Sequence, residues 1–184
     1  MCSPSRSTRF VAAVIAALAL TACASMTVNS YLERGIDFTR YRTYNFTPTD
    51  SASTGDPRLD NNRFFHERVQ ADVEKQMAAR GFEKTAAPNA DLLIHYHASL
   101  TQEIDVNDID RESGYCRTND CRPYVYDAGT LLFDFVDRRT RMLVWRGWAK
   151  GSMDRVLDSQ EWMEQKIDDA VTRILARLPG NIRG

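Results

Sequence analysis

The chain has 184 residues, with 24 Lys and Arg against 25 Asp and Glu and a formal net charge of −1 at pH 7. This length suits one domain with a sizeable hydrophobic core. The balanced charge gives no sign of a basic surface, so the composition indicates no nucleic-acid partner.

The N-terminal segment has the layout of a secretory signal peptide. Arg6 and Arg9 precede the apolar run 11–20, which is too short to span a bilayer because a spanning helix needs about 20 residues. The run ends in Leu-Thr-Ala-Cys23, which resembles the lipobox of bacterial lipoproteins, where the cysteine is diacylated and cleavage occurs just before it. We therefore predict a signal peptide over residues 1–22 and lipidation of Cys23. The alternative is a plain secreted protein with a chance cysteine.

Acylation at this position would anchor the protein, because each buried methylene contributes about 0.8 kcal/mol and two or three chains hold a protein at a membrane durably. The residue after the cysteine is Ala24 rather than Asp. By resemblance to the sorting rule of enteric bacteria, this predicts the outer membrane and a periplasm-facing domain. Processing leaves the single domain 23–184, in which 22 of the 24 basic residues remain against 25 acids, because Arg6 and Arg9 are removed.

The two cysteines left after processing and lipidation are Cys116 and Cys121. In an oxidising compartment a disulfide is the default state of such a pair. The pair encloses the turn-forming tetrad Arg-Thr-Asn-Asp. We predict a Cys116–Cys121 disulfide, which closes so short a loop that it stabilises the fold by only about 2 kcal/mol.

Two short strands open the predicted fold. β-prone residues at 26–31 and 41–46 predict these strands, the second with Tyr44 and Phe46 on one face. Residues 47–60 are rich in Pro, Ser, Thr, Asp and Gly, which predicts an exposed loop.

A helix is predicted over residues 62–80. Its apolar positions recur every four residues: Phe65, Val69, Val73 and Met77. The stripe is narrow, which is typical of a helix lying on a sheet. Asp60 or Asn61 would cap its start, and Gly81 followed by Phe82 would cap its end.

Strict alternation predicts a strand over residues 91–100. One face carries Leu92, Ile94, Tyr96 and Ala98, and the other carries Leu93, His95, His97 and Ser99. Residues 101–125 are polar, with five acids between Glu103 and Glu112, which predicts a long loop. Such loops are often functional or disordered. The alternative for the acids is a simple solvated segment.

The region 126–148 predicts a β-hairpin at the centre of the sheet, because two apolar runs flank a polar turn. The first run alternates with Leu131, Phe133 and Phe135 on one face. An odd loop such as Arg139–Arg141 would place Phe135 opposite Trp145 and Asp134 opposite Arg146. Apolar and charged residues would then lie on separate faces.

A second helix is predicted after a loop over residues 150–157. Asp158 and Glu161 have the spacing of a capping box. The predicted buried positions are Met163, Ile167, Ala170, Val171, Ile174, Leu175 and Leu178. Pro179 and Gly180 would end this helix.

This order predicts an α+β two-layer domain, with a mainly antiparallel sheet and two helices packed on one face. Its motifs are the lipobox, residues 41–46, the Ala-Arg-Gly-Phe ending of the first helix, Ala90-Asp-Leu-Leu-Ile94, Gly129-Thr-Leu, Asp134, Asp137 and Leu143-Val-Trp-Arg-Gly147. Together and in this order they resemble the bacterial lipoproteins grouped as domain of unknown function 4136 (DUF4136). The resemblance implies an α+β envelope lipoprotein and supplies neither an established activity nor a site. In that family the hairpin turn tends to carry Gly where this chain has Arg141.

One candidate site is a pair of histidines. His95 and His97 would lie about 7 Å apart on one strand face. With Cys116 and Cys121 they could form a zinc site of two nitrogens and two sulfurs. The alternative, which we favour, is two solvent-facing histidines on an open sheet face, because the cysteines are distant and a disulfide would occupy them.

A second candidate is a set of charged residues on the hairpin. Asp134 and Asp137, beside Trp145 and Arg146, could form an acid and a cation in a cleft. Alternatively, Asp134 and Arg146 form a cross-strand pair and Asp137 caps the turn. Ser99 lacks an evident acid to orient a histidine, so a hydrolase triad is unsupported.

Two tryptophans could belong to the core or mark an interface, where Trp is enriched. For Trp148 and Trp162 we expect the core.

Two functions remain open. The first is a non-catalytic binding or envelope-assembly module without a cofactor, tethered to the lipid bilayer through acylated Cys23, which uses the long loop 101–125 or a sheet edge to meet an envelope protein. The second is a small periplasmic metal-binding protein or enzyme centred on His95 and His97.

Overall fold

A computed structural model describes residues 26–47, 57–60, 62–105, 124–153 and 155–179. The strands are β1 Thr27–Leu32, β2 Thr43–Phe46, β3 Glu83–Lys84, β4 Leu92–Asp105, β5 Tyr124–Asp137 and β6 Leu143–Ser152, and the two long helices are α1 Arg63–Ala79 and α2 Gln160–Leu175. The predicted α+β fold is confirmed. Within these ranges no helix has the length and apolar character needed to span a membrane.

The sheet has six strands in the order β1-β6-β5-β4-β2-β3. The central pairs β1–β6, β6–β5 and β5–β4 are antiparallel. Only β2 runs parallel to its neighbours, β4 and β3. A parallel pair needs a crossover, and α1 lies in the connection from β2 to β4.

The core lies between one face of the sheet and the two helices. The sheet contributes six large side chains that are at most 2% exposed: Tyr44, Leu92, Ile94, Phe133, Phe135 and Trp145. The helices contribute Val69, Val73, Met77, Val171, Ile174 and Leu175, each 0% exposed. Burial of one such large side chain contributes about 1.5–3 kcal/mol, so this layer dominates the stability.

The start of α1 differs from the prediction. Asn62, rather than Asp60 or Asn61, is the N-cap, and its side chain accepts a hydrogen bond of 3.0 Å from Phe65 N–H. The physical reason is a separate helical turn, Pro57–Asp60, whose Leu59 is 2% exposed. Leu59 packs this turn against the core, so the prediction of an exposed loop over residues 47–60 was wrong for its last residues.

The end of α1 follows the prediction. Gly81 adopts a left-handed φ of +80°, and its N–H donates to Ala78 C=O at 2.9 Å. Phe82 N–H donates to Met77 C=O at 3.1 Å, and the Phe82 ring is buried. This is the glycine cap with its apolar contact.

The start of α2 was predicted wrongly. Asp158 does not begin a capping box, because it ends the 3₁₀ turn Val156–Asp158, which buried Val156 holds against the core. Ser159 occupies the N-cap position without a side-chain hydrogen bond. All seven predicted apolar positions are buried: Met163, Ile167, Ala170, Val171, Ile174, Leu175 and Leu178.

The hairpin has the predicted pairs but a different turn. Phe135 lies opposite Trp145 and Asp134 opposite Arg146. The loop, however, has the four residues 138–141, closed by Asp137 N–H to Met142 C=O at 2.9 Å. A bulge beside Phe135 inserts one extra residue in β6 and restores the predicted register. Arg141 takes the left-handed conformation, with φ of +59°.

Strand β4 extends five residues beyond the predicted end at 100. It pairs with β5 from Leu92↔Asp137 to Asp105↔Tyr124. Glu103 is held there, because Lys150 Nζ forms an ion pair with it and Tyr126 O–H donates to it at 3.2 Å. Glu103 and Asp105 therefore belong to a strand, so the predicted loop 101–125 was wrong at both ends. Residues 106–123 lie outside the described residues.

The glycine of the Trp-Arg-Gly motif, Gly147, leaves room for the Trp145 ring. A Cβ built on Gly147 would overlap the indole ring of Trp145, and it would lie 2.7 Å from Cγ2 of Ile174 on α2. The missing side chain lets the Trp145 ring lie across its own strand beneath the helix. Aromatic side chains cover strand glycines in this way elsewhere.

We predict that Gly147→Ala lowers the free energy of unfolding by about 1–3 kcal/mol, because overpacking forces side chains and backbone to shift. Urea unfolding measures the loss. In a Trp145→Leu background the added methyl should cost less, since most of the overlap is with the indole. An equal cost in both backgrounds would contradict this role for the ring.

Candidate interaction face

Both long helices lie on one face of the sheet, and in the described ranges no helix lies on the other. We call this other surface the open face. Its central residues follow from the strand register and the alternation of side chains. They are His95 and His97 on β4, Leu132 and Asp134 on β5, Arg146 and Trp148 on β6, and Asn29 and Tyr31 on β1.

One row across the open face is polar. Arg146 binds Asp134 with two hydrogen bonds, Nε to Oδ1 and Nη2 to Oδ2, each 2.6 Å. The Asp134 side chain is 13% exposed and that of Arg146 is 42% exposed. The predicted cross-strand pair is confirmed. Bidentate geometry fixes the plane of the guanidinium, so this row is rigid before any partner arrives.

The neighbouring row is apolar at its centre. Leu132 lies opposite Trp148, and both are partly exposed. The expectation that Trp148 belongs to the core was wrong, because it is three residues beyond buried Trp145 and so points to the opposite face. Trp162 is also outside the core: it is partly exposed, with the Arg155 guanidinium 4.3 Å from its ring centroid.

The two histidines flank these rows. His95 is next to Asp134 and His97 is next to Leu132, and both point to the open face as predicted. Within the residues that the structure describes, no group of three or more His, Cys, Asp or Glu could hold a metal ion. Asp134, the nearest carboxylate in register with His95, is already bound by Arg146. The sulfur ligands of the zinc hypothesis, Cys116 and Cys121, lie outside the described residues, as does Cys23.

Asp137 has a structural role. Its Oδ1 accepts hydrogen bonds from Arg139 N–H at 2.8 Å and Thr140 N–H at 2.9 Å, so it caps the turn as predicted. Its Oδ2 accepts from the Tyr41 hydroxyl at 3.0 Å. Burial acts to raise the pKa of Asp137, but these hydrogen bonds outweigh it and the pKa is lowered. Burial and the bond to Asp137 raise the pKa of Tyr41 to about 12.

A second carboxylate ties the sheet together nearby. Asp91 Oδ2 accepts hydrogen bonds from Arg42 N–H at 2.9 Å and Thr43 N–H at 3.0 Å. Thr43 Oγ1 in turn accepts from Asp91 N–H at 3.0 Å. These bonds anchor the start of β2 beside β4. The sequence motif containing Asp91 is therefore explained by strand docking and not by chemistry on a ligand.

We predict that Asp137→Asn lowers the free energy of unfolding at pH 7 by about 1.5–3 kcal/mol, the usual range for hydrogen bonds to a charged group. The folded-state pKa of Asp137 is lowered. Its contribution is therefore present above the unfolded-state pKa of about 3.9 and is lost as the pH falls through the folded-state value. Denaturant unfolding of both proteins from pH 7 to pH 2 should show the difference shrink.

Asp158→Asn is the control, because Asp158 is exposed. It should leave stability nearly unchanged across this range. A difference between Asp137→Asn and the parent that is constant from pH 7 to pH 2 would contradict the assigned role of the carboxylate charge.

The family model described as Domain of unknown function (DUF4136) matches residues 28–180. The chain belongs to the DUF4136 family. No curated protein matches it.

Three solved structures are similar to this chain. A DUF4136 family protein from Bacteroides thetaiotaomicron is 14% identical with a TM-score of 0.48, covering 80% of this chain and 95% of the other. A PDZ domain protein from Parabacteroides distasonis is 15% identical with a TM-score of 0.56, covering 92% of this chain. This chain spans 40% of the length of that protein. PelC from Paraburkholderia phytofirmans, solved as a dodecamer, is 11% identical with a TM-score of 0.44, covering 83% and 96%.

At 15% identity, the likeness to the Parabacteroides protein shows the fold alone. The family assignment places the motifs of the sequence in a known group whose function is not established. In this DUF4136 protein, residues of those motifs have structural roles. Asp91 and Asp137 bind backbone N–H groups, Asp134 binds Arg146, and Gly147 accommodates Trp145.

Proposed function

We propose that this protein is a non-catalytic binding or assembly module of the bacterial envelope, tethered to the outer membrane through acylated Cys23, and that its contact surface is the open face. One observation carries the proposal. The face opposite the helices presents Trp148 and Leu132 partly exposed beside a rigid Asp134–Arg146 pair.

The composition of the open face supports binding. Trp and Arg are enriched at the centres of protein interfaces and among the residues that contribute most to affinity. Trp148 supplies apolar area, and Arg146 supplies donors that Asp134 already orients. Side chains held in place before binding lose little conformational entropy when a partner docks.

The position of the proposed lipid supports the same function. Cys23 lies four residues before Thr27, the start of edge strand β1. Four residues span at most about 14 Å when fully extended. A lipidated Cys23 would therefore hold the β1 edge of the sheet close to the bilayer, with the open face available to a neighbouring envelope protein.

We predict that photo-crosslinking residues at positions 132 and 148 capture one partner of discrete mass in intact cells. The matched controls are positions 75 and 177, whose native side chains are exposed on the helical side. They should give no such product. Mass spectrometry of the products identifies the partner.

Leu132→Glu provides the second control, because it places a charge beside Trp148 without altering the core. It should reduce the product at position 148 while the melting temperature stays within a few degrees of the parent. Equal capture at all four positions, or unchanged capture with Leu132→Glu, would contradict the assignment of the open face.

We also predict that cells incorporate labelled palmitate into this protein and that it floats with outer-membrane fractions. Cys23→Ser should abolish both, because it removes the acylated thiol. Cys2→Ser is the matched control, since Cys2 lies within the predicted signal peptide. Intact-mass data showing an unmodified Cys23 in the mature protein would overturn the tether.

A further inference from the structure

A cavity of about 60 Å³ lies between the sheet and the N-terminal half of α2. Its walls are almost entirely apolar and include Ala98, Leu131, Met153, Met163 and Ala170. Methionine side chains adapt to irregular ligands because they are unbranched and polarisable. When the cavity volume is divided by the volume that one ordered water needs, it has room for roughly four to six water-sized groups.

Two glycines border this space. Gly129 on β5 lies directly opposite Gly151 on β6, and both line the cavity. A Cβ on Gly129 would lie 2.6 Å from Sδ of Met153. Glycine within a strand often marks a place where a ligand approaches the backbone closely. Because these two residues have no side chains, Met153 and Lys166 can lie close to the backbone of the sheet at the cavity.

Among the described residues that line the cavity, Lys166 is the only cationic one. A Cβ on Gly151 would lie 3.2 Å from its Nζ and 3.7 Å from Cα of Met26, so the ammonium lies over β6 at the side nearest the start of β1. Within the described part of the chain, no acceptor is hydrogen-bonded to this ammonium.

The charged neighbours of Lys166 do not neutralise it. Asp169 is bound by Arg173 at 2.6 Å. Burial lowers the pKa of Lys166, Asp169 raises it in part, and Arg173 lowers it. A partly buried cation without a partner is costly unless an anion joins it.

We propose that this cavity binds a single-chain carboxylate, a medium-chain fatty acid, with roughly the last four to six carbons of its apolar chain between the sheet and α2 and its carboxylate on Lys166. The apolar walls fit the chain, and the ammonium complements the headgroup. Acyl chains on a lipidated Cys23 would be neutral esters and amides, so charge complementarity favours a free carboxylate over the protein's own lipid. This inference is independent of the open face, which lies on the opposite side of the sheet.

The test is a titration of the mature acylated protein in nanodiscs with octanoate, octanol and octylamine, observed through ¹³C-methyl methionine resonances. Empty nanodiscs correct for partitioning of each probe. Octanoate should shift the Met153 and Met163 methyl signals in a saturable way. Octanol should bind at least about tenfold more weakly than octanoate, because it lacks the charge that pairs with Lys166. Octylamine should not bind.

Two variants and one control decide the roles of charge and space. Lys166→Met should weaken octanoate binding about tenfold, whereas Lys75→Met, which changes an exposed lysine on α1, should leave it unchanged. Ala98→Leu should fill the cavity and abolish binding without lowering the melting temperature.

Four results would overturn the proposal. Equal binding of octanol and octanoate, or unchanged binding in Lys166→Met, would show an apolar cavity without headgroup recognition. Octanoate binding that survives Ala98→Leu would place the site elsewhere. Methyl signals that shift between the acylated protein and Cys23→Ser, with no octanoate binding to the acylated form, would assign the cavity to the protein's own acyl chain.

Discussion

The register between β5 and β6 is the constraint on which the rest of the structure depends. It pairs Phe135 with Trp145 on the helical side, with ring centroids 5.0 Å apart at 89°, and pairs Asp134 with Arg146 on the open face. A slip of one residue would exchange the two faces and bring the charged pair under the helices. The bulge beside Phe135 is what reconciles a four-residue turn with this register. Because of it, two helices can cover one face completely while the other stays polar and partly aromatic.

The helices also hold each other, which makes the scaffold rigid behind the open face. Lys75 Nζ lies 3.3 Å from Oδ1 of Asp168, and Gln76 Nε2 donates to Thr172 Oγ1 at 2.9 Å. Such exposed pairs contribute little individually. Their consequence is orientation, since they fix the two helices side by side over the buried surface of β4 to β6. A binding surface on the opposite side of such a layer needs little rearrangement on docking.

Much of this fold could be predicted because alternation in a strand is a local property. The pattern from Leu92 to Ser99 assigned both faces of β4, including the two histidines. In the same way, the odd spacing between Trp145 and Trp148 could have placed Trp148 on the open face. The missed features depend on contacts distant in sequence. Leu59 displaced the cap of α1, and Lys150 held Glu103 in an extended β4. The cavity beside Lys166 is bordered by two glycines on different strands, and no single segment of the sequence shows that they lie side by side.

The most direct test of the central claim compares oxidative labelling of Trp148 and Trp162 in intact envelopes and in the purified protein. Both side chains are partly exposed, and they lie on opposite sides of the molecule, so each serves as the other's internal control. If the open face meets a partner, Trp148 should be oxidised several-fold more slowly in envelopes, while Trp162 reacts at the same rate in both. Equal rates for Trp148 in envelopes and in solution would contradict the account.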